Sequence, residues 1–262
     1  MWRLEDGTQV ARMEATAVVC LAVSEDGRWI AAGTFLGELL VWDAKTHKQA
    51  FSHKEDFRDI NGVDFSSDST RLVSASINST ATVWDIAARS LALTLHHEQY
   101  WVVRAAKFSP QDNRIATATP DSIRVWDSTD GRLLVDIKVG VTPLFNTGLI
   151  WSNNHLFVVS DSHIQQIDAS TGSVVSRWPL PESDYISCIS LPKHGKFISY
   201  SAKRTVTFWD TSSHIQLGHI QHPQDIRSTA LSPDDTLIAI GREQENIIIR
   251  GFSRIVVSVL CL

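Results

Sequence analysis

What this 262-residue chain has little of narrows it first. It holds three cysteines, Cys20, Cys188 and Cys261, far apart in sequence. An odd, scattered set fits neither a disulfide framework nor paired CxxC metal ligands, and suits small buried side chains in a reducing compartment. No block of lysine and arginine stands out, and the net charge is −5. The electrostatic footprint of a nucleic-acid binder is therefore missing, and none is expected as a partner. The longest apolar tail, residues 255–262, is too short to span a bilayer. Residues 1–6 lack the apolar core of a secretory signal, and Cys261, next to last, is misplaced for prenylation. The expectation is a soluble chain of the cytoplasm, with the nucleus left open and no membrane partner.

Catalytic phrases are missing as well. There is no Gly-x-Ser-x-Gly, no His-Glu-x-x-His and no phosphate-cradling Gly-x-x-x-x-Gly-Lys-Ser/Thr. Ser190-Leu191-Pro192-Lys193 has Ser-x-x-Lys spacing but falls at a strand end and turn instead of a helix. The doublet His96-His97 and the pair His219 and His222 lie in connections, spread too thinly for a metal site. The sequon Asn78-Ser79-Thr80 has no secretory route to give it meaning. No catalytic residue, cofactor or metal is expected, and the chain reads as a non-enzyme.

What is present is a repeated phrase. Ile123-Arg124-Val125-Trp126-Asp127 alternates apolar and polar residues and runs into the turn Ser128-Thr129-Asp130-Gly131, as a strand with a tight exit does. It returns as Val41-Trp42-Asp43, Val83-Trp84-Asp85 and Phe208-Trp209-Asp210. Trp42 to Trp84 is 42 residues, Trp84 to Trp126 another 42, and Trp126 to Trp209 is 83. A fixed period near 40 residues marks a repeat array. Each unit reads as four short strands joined by polar turns; the third, for example, has strands at 103–109, 114–119, 122–126 and 132–137. The units run roughly 16–52, 58–95, 101–138, 144–178, 184–219 and 225–262, with a final strand expected at 255–260. Residues 1–14 parallel the end of a unit, so 9–14 are predicted to form a strand lying beside the sixth unit and closing the array. Sheets this small bury their faces only by stacking around an axis. The fold class is therefore all-β, a single propeller domain of about six four-stranded blades, with a truncated seven-bladed ring as the alternative.

The phrase Phe108-Ser109-Pro110-Gln111-Asp112-Asn113-Arg114-Ile115-Ala116-Thr117-Ala118-Thr119, then Asp121 and Ile123-Arg124-Val125-Trp126-Asp127, resembles the WD-repeat propellers. Leu231-Ser232-Pro233-Asp234-Asp235-Thr236-Leu237-Ile238-Ala239 resembles the first half of the same motif. The resemblance implies a structural set of His, Ser/Thr, Asp and Trp hydrogen-bonded in series within each blade. Here that set is His53, Ser74, Asn78 and Trp84 in the second unit. In the third it is His96 or His97 with Thr117, Asp121 and Trp126, while Trp42 and Trp209 stand alone. The resemblance also implies recognition on the side where connections lead into the innermost strands. The residues placed there are Phe57, Arg58, Tyr100, Trp101, Arg104, Asp184, Tyr185, Gln224, Asp225 and Arg227. Aromatic and arginine side chains combine contact area with directional bonds, and Tyr100-Trp101 lies outside the repeat pattern. Trp101 also reads as a candidate for packing between blades, as do Trp29 and Trp178. A Trp-Asp-x-Arg docking phrase for ubiquitin-ligase assemblies is absent from all four Trp-Asp copies.

These observations point to a non-catalytic scaffold for a protein partner, monomeric as a domain, or the sensor part of a longer multidomain protein. A small-ligand or glycan-binding propeller is the alternative. A glycan site should recur in every blade, whereas Arg58, Asp184 and Gln224 align with Trp101, which favours the protein partner.

Overall fold

Among the described residues the 23 elements are all β-strands, and they fall into antiparallel sheets in strict chain order. The computed structural model describes residues 1, 3, 6, 8–54, 59–98, 102–138, 148–159, 163–180, 186–191, 195–232, 236–242 and 247–251, the side chain of Arg242 excepted. Two compact units divide the chain, residues 1–139 and 140–262.

In the first unit, β1 (Val18–Val23), β2 (Trp29–Thr34), β3 (Glu38–Asp43) and β4 (Gln49–Lys54) form one sheet. A second holds β5 (Ile60–Phe65), β6 (Arg71–Ser76), β7 (Thr80–Asp85) and β8 (Ser90–His96). The third holds β9 (Ala105–Phe108), β10 (Arg114–Ala118), β11 (Ser122–Asp127) and β12 (Leu133–Lys138). The third strand of each sheet is buried on both faces, as Leu39, Leu40, Val41 and Trp42 show. That burial follows from stacking. Cys20, Ala31, Leu39 and Val41 of the first sheet pack on Ile60, Leu72 and Trp84 of the second. The opposite face of the second sheet, with Val73, Ala75, Ala81 and Val83, packs on Phe108, Ile115 and Trp126 of the third. Close approach requires small residues: a Cβ on Gly33 would lie 2.5 Å from Ile60 Cγ2 and 2.7 Å from the Cys20 sulfur.

The second unit repeats the scheme. Its sheets are β13 (Leu149–Ser152) to β16 (Val174–Pro179) through β14 (His155–Val159) and β15 (His163–Asp168); then β17 (Ile186–Ser190), β18 (Phe197–Ala202), β19 (Thr205–Asp210) and β20 (Gln216–Gln221). The last is β21 (Ile226–Leu231), β22 (Leu237–Arg242) and β23 (Ile247–Gly251). Phe157, Ile164 and Trp178 meet Ile186, Ile198 and Tyr200. Val206, Phe208 and Ile220 meet Ile226, Ile238 and Ile240. Trp178 is 2% exposed, stacked 5.8 Å from Phe157, and so serves as packing. Trp29 lies under the Arg28 guanidinium, 4.6 Å from its ring centre.

Five sheets have four strands. Among the described residues the sixth has three, and the strand expected at 255–260 lies outside them. Each of the five outer strands carries a bulge beside the Trp-Asp position, as at Val83/Trp84 and Val125/Trp126. The bulge bends an exposed edge out of register with any incoming strand.

One sequence expectation needs correction. Residues 9–14 are not a strand; only Gln9 makes a bridge. Among the described residues their backbone bonds are local. Val10 N–H donates to Met1 O at 2.9 Å, and the Met1 ammonium donates to Ala11 O at 2.6 Å. Met13 then packs on Ile30, Ala32, Leu40 and Trp42, so the segment covers the face of the first sheet that the second sheet leaves free.

Candidate interaction face

The Asp that ends the third strand of a sheet folds the turn behind it, after Trp in four sheets and after Ile167 in the sheet of β15. Asp127 accepts from Thr129 N–H at 2.8 Å, Asp43 from the amides of Lys45 and Thr46, and Asp168 from those of Ser170 and Thr171. These bonds to the charged form hold the carboxyls below the usual range: for Asp127 chiefly the Thr129 amide, for Asp43 that of Thr46, for Asp168 that of Thr171.

The tryptophans divide by whether their N–H finds a partner. Trp84 Nε1 donates to Ser74 Oγ at 3.0 Å, and the His53 ring lies 4.4 Å from the indole. Trp126 Nε1 donates to Thr117 Oγ1 at 2.7 Å. Of the two candidate histidines beside it, His97 is the buried one, edge-on to Trp126 at 5.3 Å. Asn78 Oδ1 accepts from Thr80 N–H at 3.1 Å, and Asp121 accepts from Thr119 Oγ1 at 2.9 Å, so both hold their own turns. Trp42 faces Ala32 where Trp84 has Ser74, and Tyr200 takes that place for Trp209. Trp209 Nε1 is buried with no hydrogen-bond partner.

Of the residues nominated for partner contact, Phe57, Arg58, Tyr100, Trp101, Asp184 and Tyr185 lie outside the described residues. In the first unit Arg104 stands half-buried ahead of β9, its N–H donating to Ala118 O at 2.8 Å. In the second, Gln224, Asp225 and Arg227 gather where the chain enters β21. Asp225 pairs with Arg204 at 3.3 Å and Gln224 N–H donates to His222 Nδ1 at 3.3 Å. Asp225 and Arg227 are exposed, and the turn is pinned by Ile226 N–H donating to Lys203 O at 2.6 Å.

A residue that sequence reading passed over is Arg124. Its alternation with Ile123 and Val125 reads as an outward polar side chain, yet it is 7% exposed. Its guanidinium reaches Glu98 Oε1 at 3.1 Å, Asp136 Oδ2 at 3.6 Å and His97 Nδ1 at 3.5 Å. Burial, with Arg124 reinforcing it against Asp121, pushes the His97 pKa down to about 4. The ring is therefore neutral near pH 7, with Nδ1 able to accept from the guanidinium.

Among the described residues, no three His, Cys, Asp or Glu side chains are placed to hold a metal. No helix there is long and apolar enough to cross a membrane. Burial raises the Cys20 thiol to about 12, which leaves it unreactive.

Known proteins share this architecture. A chain in the crystal structure of the mitotic checkpoint complex superposes with a TM-score of 0.79 at 17% identity, over 95% of this chain and 82% of that one. The chicken serine-threonine kinase receptor-associated protein is 25% identical over 85% of this chain and 57% of its own length. WD repeat-containing protein 18 of Danio rerio is 23% identical, over 90% of this chain and 60% of its own. The U3 small nucleolar RNA-associated protein 15 homolog of Xenopus laevis is 24% identical, over 88% and 45%. The chain thus spans between 45% and 60% of the length of these curated relatives. The family profile described as nucleolar protein 10-like, N-terminal domain, matches residues 3–178. With its period, its Trp-Asp turns and this match, the chain belongs to the nucleolar protein 10-like family of WD-repeat β-propeller domains.

Proposed function

We propose that the chain is a non-catalytic scaffold that docks a protein partner where connections lead into its innermost strands, and that it does so in the nucleus. The observation that carries the reading is the set Gln224, Asp225 and Arg227 at the entry to β21, pinned by Gln224 N–H to His222 and Ile226 N–H to Lys203. Charged side chains on a preorganised turn lose little freedom on docking, and arginine is favoured at the centre of binding sites. The nuclear setting rests on the family description and on a relative named for a small nucleolar RNA, and it replaces the cytoplasm expected from the sequence. A net charge of −5 favours protein over RNA as the direct ligand.

The test is capture from RNase-treated nuclear extract with the wild-type chain and with Arg104→Ala/Asp225→Ala/Arg227→Ala. Recovery of specific proteins should fall at least about tenfold in the variant, roughly 1.4 kcal/mol, while its melting stays at the wild-type value. Undiminished capture would place the partner elsewhere. Capture abolished by RNase alone would make RNA the ligand.

A further inference from the structure

The connection from the second sheet to the third is held at both feet. His97 N–H donates to Ser79 O at 2.9 Å, and Val103 N–H to Ser76 O at 3.1 Å. Asn61 Nδ2 donates to Val103 O at 3.2 Å, and Arg104 N–H to Ala118 O at 2.8 Å. Onto the first foot comes the Arg124 side chain from β11, a strand of the other sheet. The same register position holds Leu40, Thr82, Gln165 and Thr207 in other sheets, so the repeat does not demand a charge there.

As a contribution to stability Arg124 is a poor choice. Its own side chain is 9% exposed, and it faces Glu98, whose side chain is 71% exposed and screened, and Asp136 at ion-pair but not hydrogen-bond distance. Its Nε and His97 Nε2 are both buried without a hydrogen bond. A buried charge so incompletely matched is usually replaceable by an apolar side chain without loss of stability. What the guanidinium does achieve is geometric. It holds two consecutive residues by two separate nitrogens, His97 through Nη1 and Glu98 through Nη2, at a point where the chain has just left β8.

We propose that Arg124 is a positioning residue for the interaction face, clamping the leading foot of the 97–104 connection through Glu98 and His97. This rests on the reading above that such connections carry the partner contact, but the clamp itself is a property of the partner-free chain. Conformational specificity is a known return on a buried ionic group, and a two-pronged guanidinium supplies it where an ammonium does not.

Hydrogen exchange read by mass spectrometry on the free chain tests the clamp independently of any partner. Arg124→Met should speed exchange of the bonded amides of the connection, those of His97, Val103 and Arg104, at least about tenfold, while β10 and β11 amides exchange as in wild type and the melting midpoint holds or rises. Arg124→Lys should fall between the two. Glu98→Gln, at an exposed side chain that the fold does not need, should loosen the same segment by a smaller factor. Unchanged exchange at 97–104 in both Arg124→Met and Glu98→Gln overturns the proposal. So does acceleration spread evenly over the third sheet, which would make Arg124 an ordinary core residue. Should Arg124→Met fail to fold, Glu98→Gln alone decides. Loss of partner capture in the Arg104/Asp225/Arg227 variant with an intact clamp, or the reverse, separates the two readings.

Discussion

Trp84 and Trp209 occupy the same place in an identical Trp-Asp phrase, yet they differ in the one atom that an indole must account for. Trp84 gives its N–H to Ser74, whereas Trp209 looks across to Tyr200 and leaves its N–H buried and unpaired. A bond made counts for about 1 kcal/mol, and a donor stranded costs more than that. Trp84→Phe should therefore lose about 1–3 kcal/mol in urea unfolding, from the broken bond and the void beside His53. Trp209→Phe removes a donor that has no acceptor and should stay within about 0.5 kcal/mol of wild type. A greater loss at Trp209 than at Trp84 would mean that its indole N–H is satisfied after all. This difference was open to view in the sequence, since Ser74 and Tyr200 each stand ten or nine residues before their tryptophan. Arg124 was not. A period-two reading assigns one polar face to each strand, and sheets that stack on both sides bury that face too.

At the scale of the element, the strands were legible because turn chemistry brackets them. Serine before the first hairpin and aspartate after the third strand recur in place. Ser24, Ser66, Ser109 and Ser232 each take an amide five residues on, at Trp29, Arg71, Arg114 and Leu237. The aspartates make a pH prediction. Asp43, Asp127, Asp168 and Asp210 all have carboxyls held below their ordinary value by amides of the turn, for Asp210 chiefly that of Ser213. A carboxyl depressed in the folded state favours folding above its unfolded pKa of about 3.9, and that contribution is lost as pH falls through the lower folded value. The aspartate contribution to the unfolding free energy measured by urea should thus be flat from about pH 7 to about 5 and fall steeply below about 4. It comes on top of the gradual loss between about pH 6.5 and 4 that His97, neutral in the fold, brings as the unfolded chain takes up its proton. Asp127→Asn keeps the amide acceptor but cannot titrate, so its curve should be shallower there than wild type. An equal slope in the variant would take the turns out of the acid transition. The outer-strand bulges, by contrast, were invisible in the sequence. A single extra residue beside the Trp-Asp position changes no apolar pattern that a reader can count.

At the scale of the whole molecule, the N-terminal segment shows how a correct repeat argument can misplace a piece of chain. Residues 1–14 do copy the end of a unit, but a strand is defined by its partners, and among the described residues 9–14 pair with none beyond the bridge at Gln9. The segment turns back on Met1 instead, and Met13 settles over Ile30, Ala32, Leu40 and Trp42. That face has the composition of the faces that receive a neighbouring sheet elsewhere in the unit, as Leu72 and Trp84 receive the first sheet. Its inner half carries Leu21 and Val23, 60% and 56% exposed. What the segment covers is therefore the outer half of an apolar sheet face, and its removal should matter more than trimming a free tail. Deleting residues 1–14 uncovers Ile30, Ala32, Leu40 and Trp42 on the face that also carries Leu21 and Val23, and exposed apolar faces favour association. The expected outcome is concentration-dependent self-association in sedimentation, with a lowered melting midpoint. Met13→Asp in the intact chain should also lower the midpoint, with about 1–3 kcal/mol of stability lost, since it places a charge against the same four side chains. A deleted chain that stays monomeric and melts like the intact one would show that the segment lies on the sheet without stabilising it.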